Sequence, residues 1–140
     1  MNRSAIVTWK GSGKEGSGKI STQSRVLDKV HYAWNSRFEN ESGTNPEELI
    51  AAAHAGCFTM KLSFVLSEAG FPPEIIHTTA KVTLEEDTLS HSHLITRAAV
   101  PGISTEKFQE CADKAIHCIV SKALNAAITM EAALTESTMA

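Results

Sequence analysis

The segment from Leu49 to Leu66 constrains the fold of this chain more than any other part of the sequence. Its side chains are apolar or small apart from four isolated polar ones, which are His54, Thr59, Lys61 and Ser63. A helix with this pattern has no face that suits water, so it must be buried on all sides. A single small sheet can cover only one side of such a helix. We therefore expect a second copy of the chain to cover the other side, in a homodimer.

The residues around this segment predict where the helix begins and ends. Asn45 is a favourable N-cap, and Pro46 suits the first helical position. The acidic Glu47 and Glu48 suit the positive end of the helix dipole. The run Gly70-Phe71-Pro72-Pro73 cannot continue a helix, so the helix is predicted to end at about residue 69.

Alternating apolar and polar residues predict strands on both sides of this helix. Three precede it, near residues 4–10, 19–24 and 30–38, and two follow it, near 75–85 and 93–100. Ser104 can cap a second helix that reaches about residue 125, and a last strand is expected over 127–136. The order β-β-β-α-β-β-α-β predicts an α+β fold with two main helices on a mainly antiparallel sheet. The length of 140 residues predicts a single domain, residues 1–140.

The composition narrows the classes of function. The net charge of −3 argues against nucleic acid as a partner, because phosphate binding requires a basic surface. The first residues lack the apolar core of a secretory signal. His54 and Lys61 interrupt the longest apolar run, which argues against a membrane span. We therefore expect a cytoplasmic protein whose three cysteines are reduced.

The glycine-rich stretch 11–19 resembles a phosphate-binding loop without matching one. Gly13 is followed after four residues by Gly18 and Lys19, but Ile20 stands where Ser or Thr would bind the metal ion. The residues from 19 to 24 also predict a strand rather than the helix that such a loop needs. We interpret the stretch as a hairpin loop rather than a nucleotide site.

Two of the three cysteines occur in apolar helical patterns far apart in the sequence. Cys57 lies among small residues of the first predicted helix, and Cys118 lies late in the second. Two such thiols in a chain without an export signal suggest thiol chemistry rather than a structural disulfide, although a lone buried cysteine is more often inert. Cys111 would lie ~10 Å from Cys118 along a continuous helix, beyond disulfide reach, so we interpret it as a packing residue.

A zinc site is an alternative interpretation of these thiols. His54 is three residues before Cys57, and His117 is next to Cys118, and tetrahedral zinc sites use such ligands. Adjacent residues on a helix point about 100° apart, however, so His117 and Cys118 do not readily converge on one ion. We therefore expect neither a metal nor another cofactor.

Two segments of the chain carry a resemblance to a known family. The first is Thr44-Asn45-Pro46-Glu47-Glu48-Leu49-Ile50-Ala51-Ala52-Ala53-His54-Ala55-Gly56-Cys57-Phe58-Thr59-Met60, and the second is Val120-Ser121-Lys122-Ala123-Leu124, after Cys118. With them the chain resembles the OsmC/Ohr family of thiol-dependent hydroperoxide reductases, and most of all its OsmC branch. The likeness covers essentially the whole chain. It implies an OsmC/Ohr-like fold and an intertwined homodimer.

The same resemblance implies roles for four residues. Cys57 corresponds to the peroxidatic cysteine and Cys118 to the resolving cysteine. Arg37 would stabilise the Cys57 thiolate, and Glu47 would hold the guanidinium group in position. Attack on a peroxide would give an alcohol and a sulfenic acid on Cys57, which Cys118 would convert to a disulfide. Ile119 departs from the family pattern, which often has proline there.

The resemblance also implies the partners of the reaction. The substrate would be a bulky organic hydroperoxide rather than hydrogen peroxide, and an external dithiol, of the lipoyl type, would reduce the disulfide. Tyr32 and Trp34 are candidates to line an apolar pocket. The alternative is a non-enzymatic stress protein that binds an apolar small molecule, with Cys57 lining its pocket. Such a protein would consume no peroxide.

The spacing of Glu47 and Cys57 adds a second argument for a dimer. The ten residues between them correspond to ~15 Å along a helix, which a glutamate side chain cannot span. Either Arg37 bridges part of this distance or the partner chain supplies Glu47 and Arg37. We favour the partner, because that arrangement also accounts for the helix without a polar face.

Overall fold

The computed structural model of the chain describes residues 1–34 and 43–136. Its elements are β1 (Ala5–Lys10), β2 (Ser17–Thr22), β3 (Val30–Tyr32), α1 (Pro46–Glu68), β4 (Ile75–Glu85), β5 (Thr88–Ala99), α2 (Thr105–Ala115), α3 (Ile119–Ala123) and β6 (Ala127–Leu134). The predicted α+β class is confirmed. Met1–Leu49 and Ile50–Ala140 form two compact units, which are described in turn.

The N-terminal unit contains a sheet in the order β1-β2-β3, with both pairs of strands antiparallel. The glycine-rich stretch connects β1 to β2 as a hairpin, with Gly11 in the left-handed region at φ +96°. Lys19 lies within β2, so no helix follows the glycines and the predicted hairpin loop is confirmed. The strand predicted over 30–38 is described as far as Tyr32, and residues 35–42 lie outside the described part of the chain.

The C-terminal unit contains a second sheet, in the order β4-β5-β6. β4 and β5 pair antiparallel, whereas β5 and β6 pair parallel, so the strand pairing is mainly antiparallel as predicted but is divided between two sheets. The parallel pair arises because α2 and α3 cross over between its two strands.

The turn after β4 is also shorter than predicted. Glu86 and Asp87, at φ +47° and +65°, form a two-residue turn, so β5 begins at Thr88 rather than near residue 93.

Helix α1 begins and ends where the sequence predicts. Asn45 caps it, because the backbone N–H of Glu48 donates to Asn45 Oδ1 at 2.7 Å, and Pro46 is its first residue. Gly70 ends it in the left-handed region at φ +92°, and the N–H of Phe71 donates to the carbonyl of Leu66 at 2.9 Å. That bond is typical of a helix closed by glycine.

The core of the C-terminal unit is built on one stripe of α1. His54, Phe58, Leu62 and Leu66 recur every four residues and are fully buried. The three apolar members join a cluster with Leu94 and Ala98 of β5, residues of α2 and partly buried residues of β4 and β6. By length and composition alone α1 could also span a membrane. Because one stripe of α1 packs in this cluster, α1 is a core helix of the unit.

The second predicted helix is broken, which corrects the expectation of one continuous helix to residue 125. Ser104 caps α2 as expected, since the N–H of Lys107 donates to its Oγ at 3.1 Å. The helix stops at Ala115, Cys118 adopts an extended conformation (φ −68°, ψ 167°), and α3 begins at Ile119. The break brings Cys118 into the core cluster. The described residues thus form three helices rather than two main ones.

Candidate active site

Cys57 and Cys118 meet within the C-terminal unit. Cys57 projects from α1 and is partly buried, whereas Cys118 is the N-cap of α3 and only 1% exposed. Both thiols are free, Cys57 packs against the core cluster that contains Cys118, and the Cys57 thiol helps to lower the pKa of Cys118. They are separated in the sequence by about half of α1, two strands and a second helix. The arrangement is therefore a preformed dithiol, which can interconvert with a disulfide.

The surroundings of Cys118 favour its thiolate. Burial by itself raises the pKa of Cys118, but polar contacts outweigh it and lower the pKa from its ordinary value of 9.0. These contacts come from the Ser121 hydroxyl, the backbone N–H groups of Ser121 and Val120, and the Cys57 thiol. Both N–H groups belong to the first turn of α3. Cys118 is the N-cap of this helix, but its side chain makes no regular capping hydrogen bond. Cys118 is therefore ionised more readily than an ordinary buried thiol.

A buried polar chain leads from β5 to Cys118. His54 Nδ1 lies 2.6 Å from Ser92 Oγ, and His54 Nε2 lies 2.7 Å from Ser121 Oγ. Ser121 Oγ in turn lies 3.3 Å from Cys118 Sγ. His54 and Ser92 are both 0% exposed. The chain thus links α1, β5 and α3 through side chains and ends on one of the two thiols.

Burial determines the charge of His54. Loss of water around the ring lowers the pKa of His54 from its ordinary value of 6.5, so the imidazole is neutral near pH 7. A neutral imidazole has one donor and one acceptor nitrogen, and each nitrogen here faces a hydroxyl group. Both polar atoms of the ring are therefore satisfied inside an apolar core.

The remaining predicted residues lie in different parts of the chain. Glu47 is in the first turn of α1, within the N-terminal unit. Arg37 falls in 35–42 and lies outside the described residues. Cys111 is 1% exposed in α2 and packs in the core cluster, as its interpretation as a packing residue requires. Within residues 1–34 and 43–136, no group of three His, Cys, Asp or Glu side chains could hold a metal ion.

The N-terminal unit contains a small aromatic cavity of about 190 Å³. Its lining residues are Trp9, Gly13, Tyr32, Ala33, Trp34 and Pro46. The rings of Trp9 and Tyr32 meet edge to face, with their centroids 5.4 Å apart. Tyr32 and Trp34, which the sequence suggested as pocket residues, therefore line an apolar cavity next to the start of α1.

Sequence reasoning missed the link from His54 to Cys118. It treated His54 only as a candidate zinc ligand and did not single out Ser92 or Ser121. One signal was available, because a histidine within an apolar helix needs a buried hydrogen-bonding partner. Its partners lie 38 and 67 residues away in the sequence, so no local pattern identifies them.

The sequence is similar to those of known proteins. Residues 39–133 match the sequence profile of the family described as OsmC-like protein. The chain is 48% identical to peroxiredoxin OsmC of Escherichia coli over 128 residues, which cover 88% of this chain and 90% of the relative.

Two solved structures share the fold. The organic hydroperoxide resistance protein OhrB of Bacillus subtilis is 27% identical, with a TM-score of 0.71 over 92% of this chain and 97% of that one. An OsmC-like protein of Vibrio cholerae has a TM-score of 0.76 at 16% identity, over 94% of this chain and 99% of that one, and supports the fold alone. Together with the match over most of the sequence, these comparisons establish that the chain belongs to the OsmC-like protein family.

Proposed function

We propose that the chain is a thiol-dependent peroxidase that reduces organic hydroperoxides to alcohols in defence against oxidative or osmotic stress. The observation that carries the proposal is that the fold brings the Cys57 and Cys118 thiols together in the core of the C-terminal unit. Relatives named as a peroxiredoxin and as organic hydroperoxide resistance proteins support the same activity.

The reaction has three steps. The Cys57 thiolate attacks the terminal peroxide oxygen, the O–O bond breaks, and the alkoxide takes a proton to leave as an alcohol. Cys57 is then a sulfenic acid. Cys118 attacks this sulfur, which forms the Cys57–Cys118 disulfide and releases water. An external dithiol, for which we propose the lipoyl type, restores both thiols and becomes a disulfide itself. No metal or other cofactor takes part in this scheme.

The difference in exposure supports the assignment of the two cysteines. A peroxide can reach Cys57, which is partly exposed, more easily than Cys118, which is 1% exposed. The lowered pKa of Cys118 suits the second step, because the thiolate is the attacking species. Cys57 is therefore the peroxidatic cysteine in this scheme and Cys118 the resolving one.

We also propose Arg37 and Glu47 as the pair that activates Cys57. A guanidinium group beside the sulfur would stabilise the thiolate and donate hydrogen bonds to the peroxide oxygens as they separate. A carboxylate such as Glu47 would hold the guanidinium group by a bidentate pair. We favour the partner subunit as the source of this pair in each active site.

The proposed working unit is a homodimer, in which residues 1–140 act as one domain. Met60 and Phe64 are large apolar residues one turn apart on α1, and they are 64% and 63% exposed. Burial of such side chains stabilises an interface by about 25 cal/mol per Å². A second copy of the chain is the covering partner that we propose. We infer a cytoplasmic location, where a dithiol reductant keeps the cysteines reduced.

The proposed substrate is a bulky organic hydroperoxide rather than hydrogen peroxide. Its alkyl or aryl group gains apolar contacts that hydrogen peroxide cannot use. This predicts a higher kcat/KM for bulky hydroperoxides.

An activity assay tests the proposed function. The purified protein should consume cumene hydroperoxide faster than hydrogen peroxide, with dihydrolipoamide as a better reductant than thioredoxin. Cys57→Ser should abolish turnover, because a serine hydroxyl is a poor nucleophile near neutral pH. A wild-type protein that consumes neither peroxide would support the alternative of a non-enzymatic binding protein and would refute the proposal.

A further inference from the structure

The polar chain from Ser92 through His54 and Ser121 to Cys118 has no role in the three steps above. We propose that Ser121, oriented by His54, holds the Cys118 sulfur as a thiolate ready to attack oxidised Cys57. Ser121 is then a catalytic residue of the resolving step, because it contacts a reacting atom at 3.3 Å. His54 is a positioning residue that acts through Ser121. The inference rests on the proposed function, since it assigns groups to its second step.

The direction of the hydrogen bonds follows from the neutral imidazole. If Nε2–H donates to Ser121 Oγ, the Ser121 hydroxyl keeps its own proton for Cys118, and Ser92 donates to Nδ1. If the other tautomer is present, Ser121 donates to Nε2 and can only accept from the Cys118 thiol. The first arrangement stabilises a thiolate and the second a thiol. A ring that is neutral and buried can adopt either one, but an imidazolium ion would leave Ser92 without an acceptor nitrogen.

The first turn of α3 also favours the first arrangement. The backbone N–H groups of Val120 and Ser121 help to lower the pKa of Cys118, and both can only donate. A sulfur surrounded by donors is best matched by a negative charge. When His54 Nε2–H donates to Ser121, the Ser121 hydroxyl becomes a further donor to the Cys118 sulfur. Each nitrogen of His54 and each of the two serine hydroxyls then has a hydrogen-bonding partner.

The resolving step then balances without an additional reactant. The Cys118 thiolate attacks the sulfur of the Cys57 sulfenic acid, the S–S bond forms and the S–O bond breaks. Hydroxide leaves with the bonding pair and takes a proton from solvent, which can reach the partly exposed Cys57. The products are a disulfide and water. The hydroperoxide of the first step is the only oxidant.

Matched variants separate this role from a structural one. Ser121→Ala removes the hydroxyl, and Ser121→Thr restores it at the same position. His54→Asn retains a polar group near Nδ1, on the Ser92 side, whereas His54→Gln carries its amide to the Nε2 position, on the Ser121 side. Each variant is compared with the wild type after its melting temperature has been measured, so that loss of fold is recognised independently of chemistry.

The experiment follows the two steps separately. Reduced protein is mixed with one equivalent of cumene hydroperoxide and quenched with an alkylating reagent at increasing times. Intact mass then gives the loss of the Cys57 thiol and the formation of the disulfide. Ser121→Ala and His54→Asn should form the disulfide about tenfold more slowly, which is the effect expected for one hydrogen bond to a charged group. Ser121→Thr and His54→Gln should remain close to the wild type.

The first step should be nearly unchanged in all four variants. With excess hydroperoxide, Ser121→Ala and His54→Asn should therefore accumulate Cys57 sulfinic acid, because the sulfenic acid persists. Ser121→Thr and His54→Gln, which restore the donor, should instead give the partition of the wild type.

Two outcomes contradict the inference in different ways. If folded Ser121→Ala and His54→Asn proteins form the disulfide as fast as the wild type, the inference is wrong and the proposed function stands. If the wild type itself forms no disulfide, the proposed function fails and the inference fails with it. Should Ser121→Ala not fold, the comparison of His54→Asn with His54→Gln decides the question alone.

Discussion

Among single residues, His54 is a titratable side chain placed inside the apolar core. It is fully buried, its pKa is lowered by burial, and both ring nitrogens contact serine hydroxyls. Protonation would therefore add a charge that the core cannot hydrate. Protonation of His54 should therefore be less favourable in the folded state than in the unfolded chain. This difference should make the free energy of unfolding depend on pH.

The stability of the wild type should depend on pH through His54. The folded-state pKa of His54 lies below its value in the unfolded chain, so the unfolded chain binds more protons as the pH falls below about 6.5. The contribution of neutral His54 to the free energy of unfolding is therefore fully present above the unfolded-chain pKa of about 6.5. It is lost as the pH falls through the lowered folded-state pKa of His54. Urea unfolding of the wild type and of His54→Gln at several pH values measures how much His54 contributes to the pH dependence of the free energy of unfolding. Parallel pH profiles for the two proteins would contradict it.

The cysteine pair shows what the sequence alone could identify at this scale. The segment around Cys57 and the later Cys118 were sufficient to nominate both thiols, and the structure brings both to one core cluster. The lowered pKa of Cys118 was not predictable, because it depends on the break before α3 and on Ser121. Such effects arise from tertiary packing rather than from a local pattern.

At the scale of elements, the sequence predicted those helix ends that are fixed by capping residues and their local hydrogen bonds. The Asn45 and Ser104 caps and the Gly70 stop all occur as expected. The parallel pairing of β5 with β6 was missed, because strand pairing depends on contacts distant in the sequence. The turn after β4 was predicted over 87–92 but consists of Glu86 and Asp87. Neither residue is a glycine or asparagine, so the usual signal for a two-residue turn was absent.

The end of α1 provides a test of one such boundary. Gly70 adopts φ +92°, which a residue with a Cβ atom occupies only at a cost, so Gly70→Ala should lower the free energy of unfolding by about 1 kcal/mol. Gly13→Ala is the matched control, because its Cβ would meet no atom within 4 Å and its φ is not in the left-handed region. Chemical denaturation measures both. Equal stability of the two variants would show that the Gly70 turn does not require glycine.

At the scale of the whole molecule, the exposed side of α1 is the feature that the described chain leaves unexplained. The sequence predicted a helix without a polar face, and one stripe of α1 is indeed buried in the core. Met60 and Phe64 lie outside that stripe and remain exposed. The proposed homodimer would bury them, and this proposal is open to a direct test.

Phe64→Glu should shift the protein from dimer to monomer. The substitution removes a ring from the proposed interface and puts a carboxylate there, which costs free energy when it is buried without a partner. Phe64→Leu is the matched control and should remain dimeric, because it keeps the surface apolar. Light scattering after size-exclusion chromatography measures the mass of each variant. A wild type that is monomeric at nanomolar concentration, or a Phe64→Glu variant that dimerises normally, would contradict the proposal.

The most direct test of the account is the identity of the bond that forms when the reduced protein meets one equivalent of cumene hydroperoxide. After alkylation and digestion without reduction, mass spectrometry should find the peptides of Cys57 and Cys118 linked, with Cys111 still alkylated. Cys118→Ser treated with excess cumene hydroperoxide should have Cys57 oxidised to sulfinic or sulfonic acid, because no thiol intercepts the sulfenic acid. If all three cysteines of the wild type remain alkylated, or a bridge to Cys111 forms instead, the proposed dithiol mechanism is wrong.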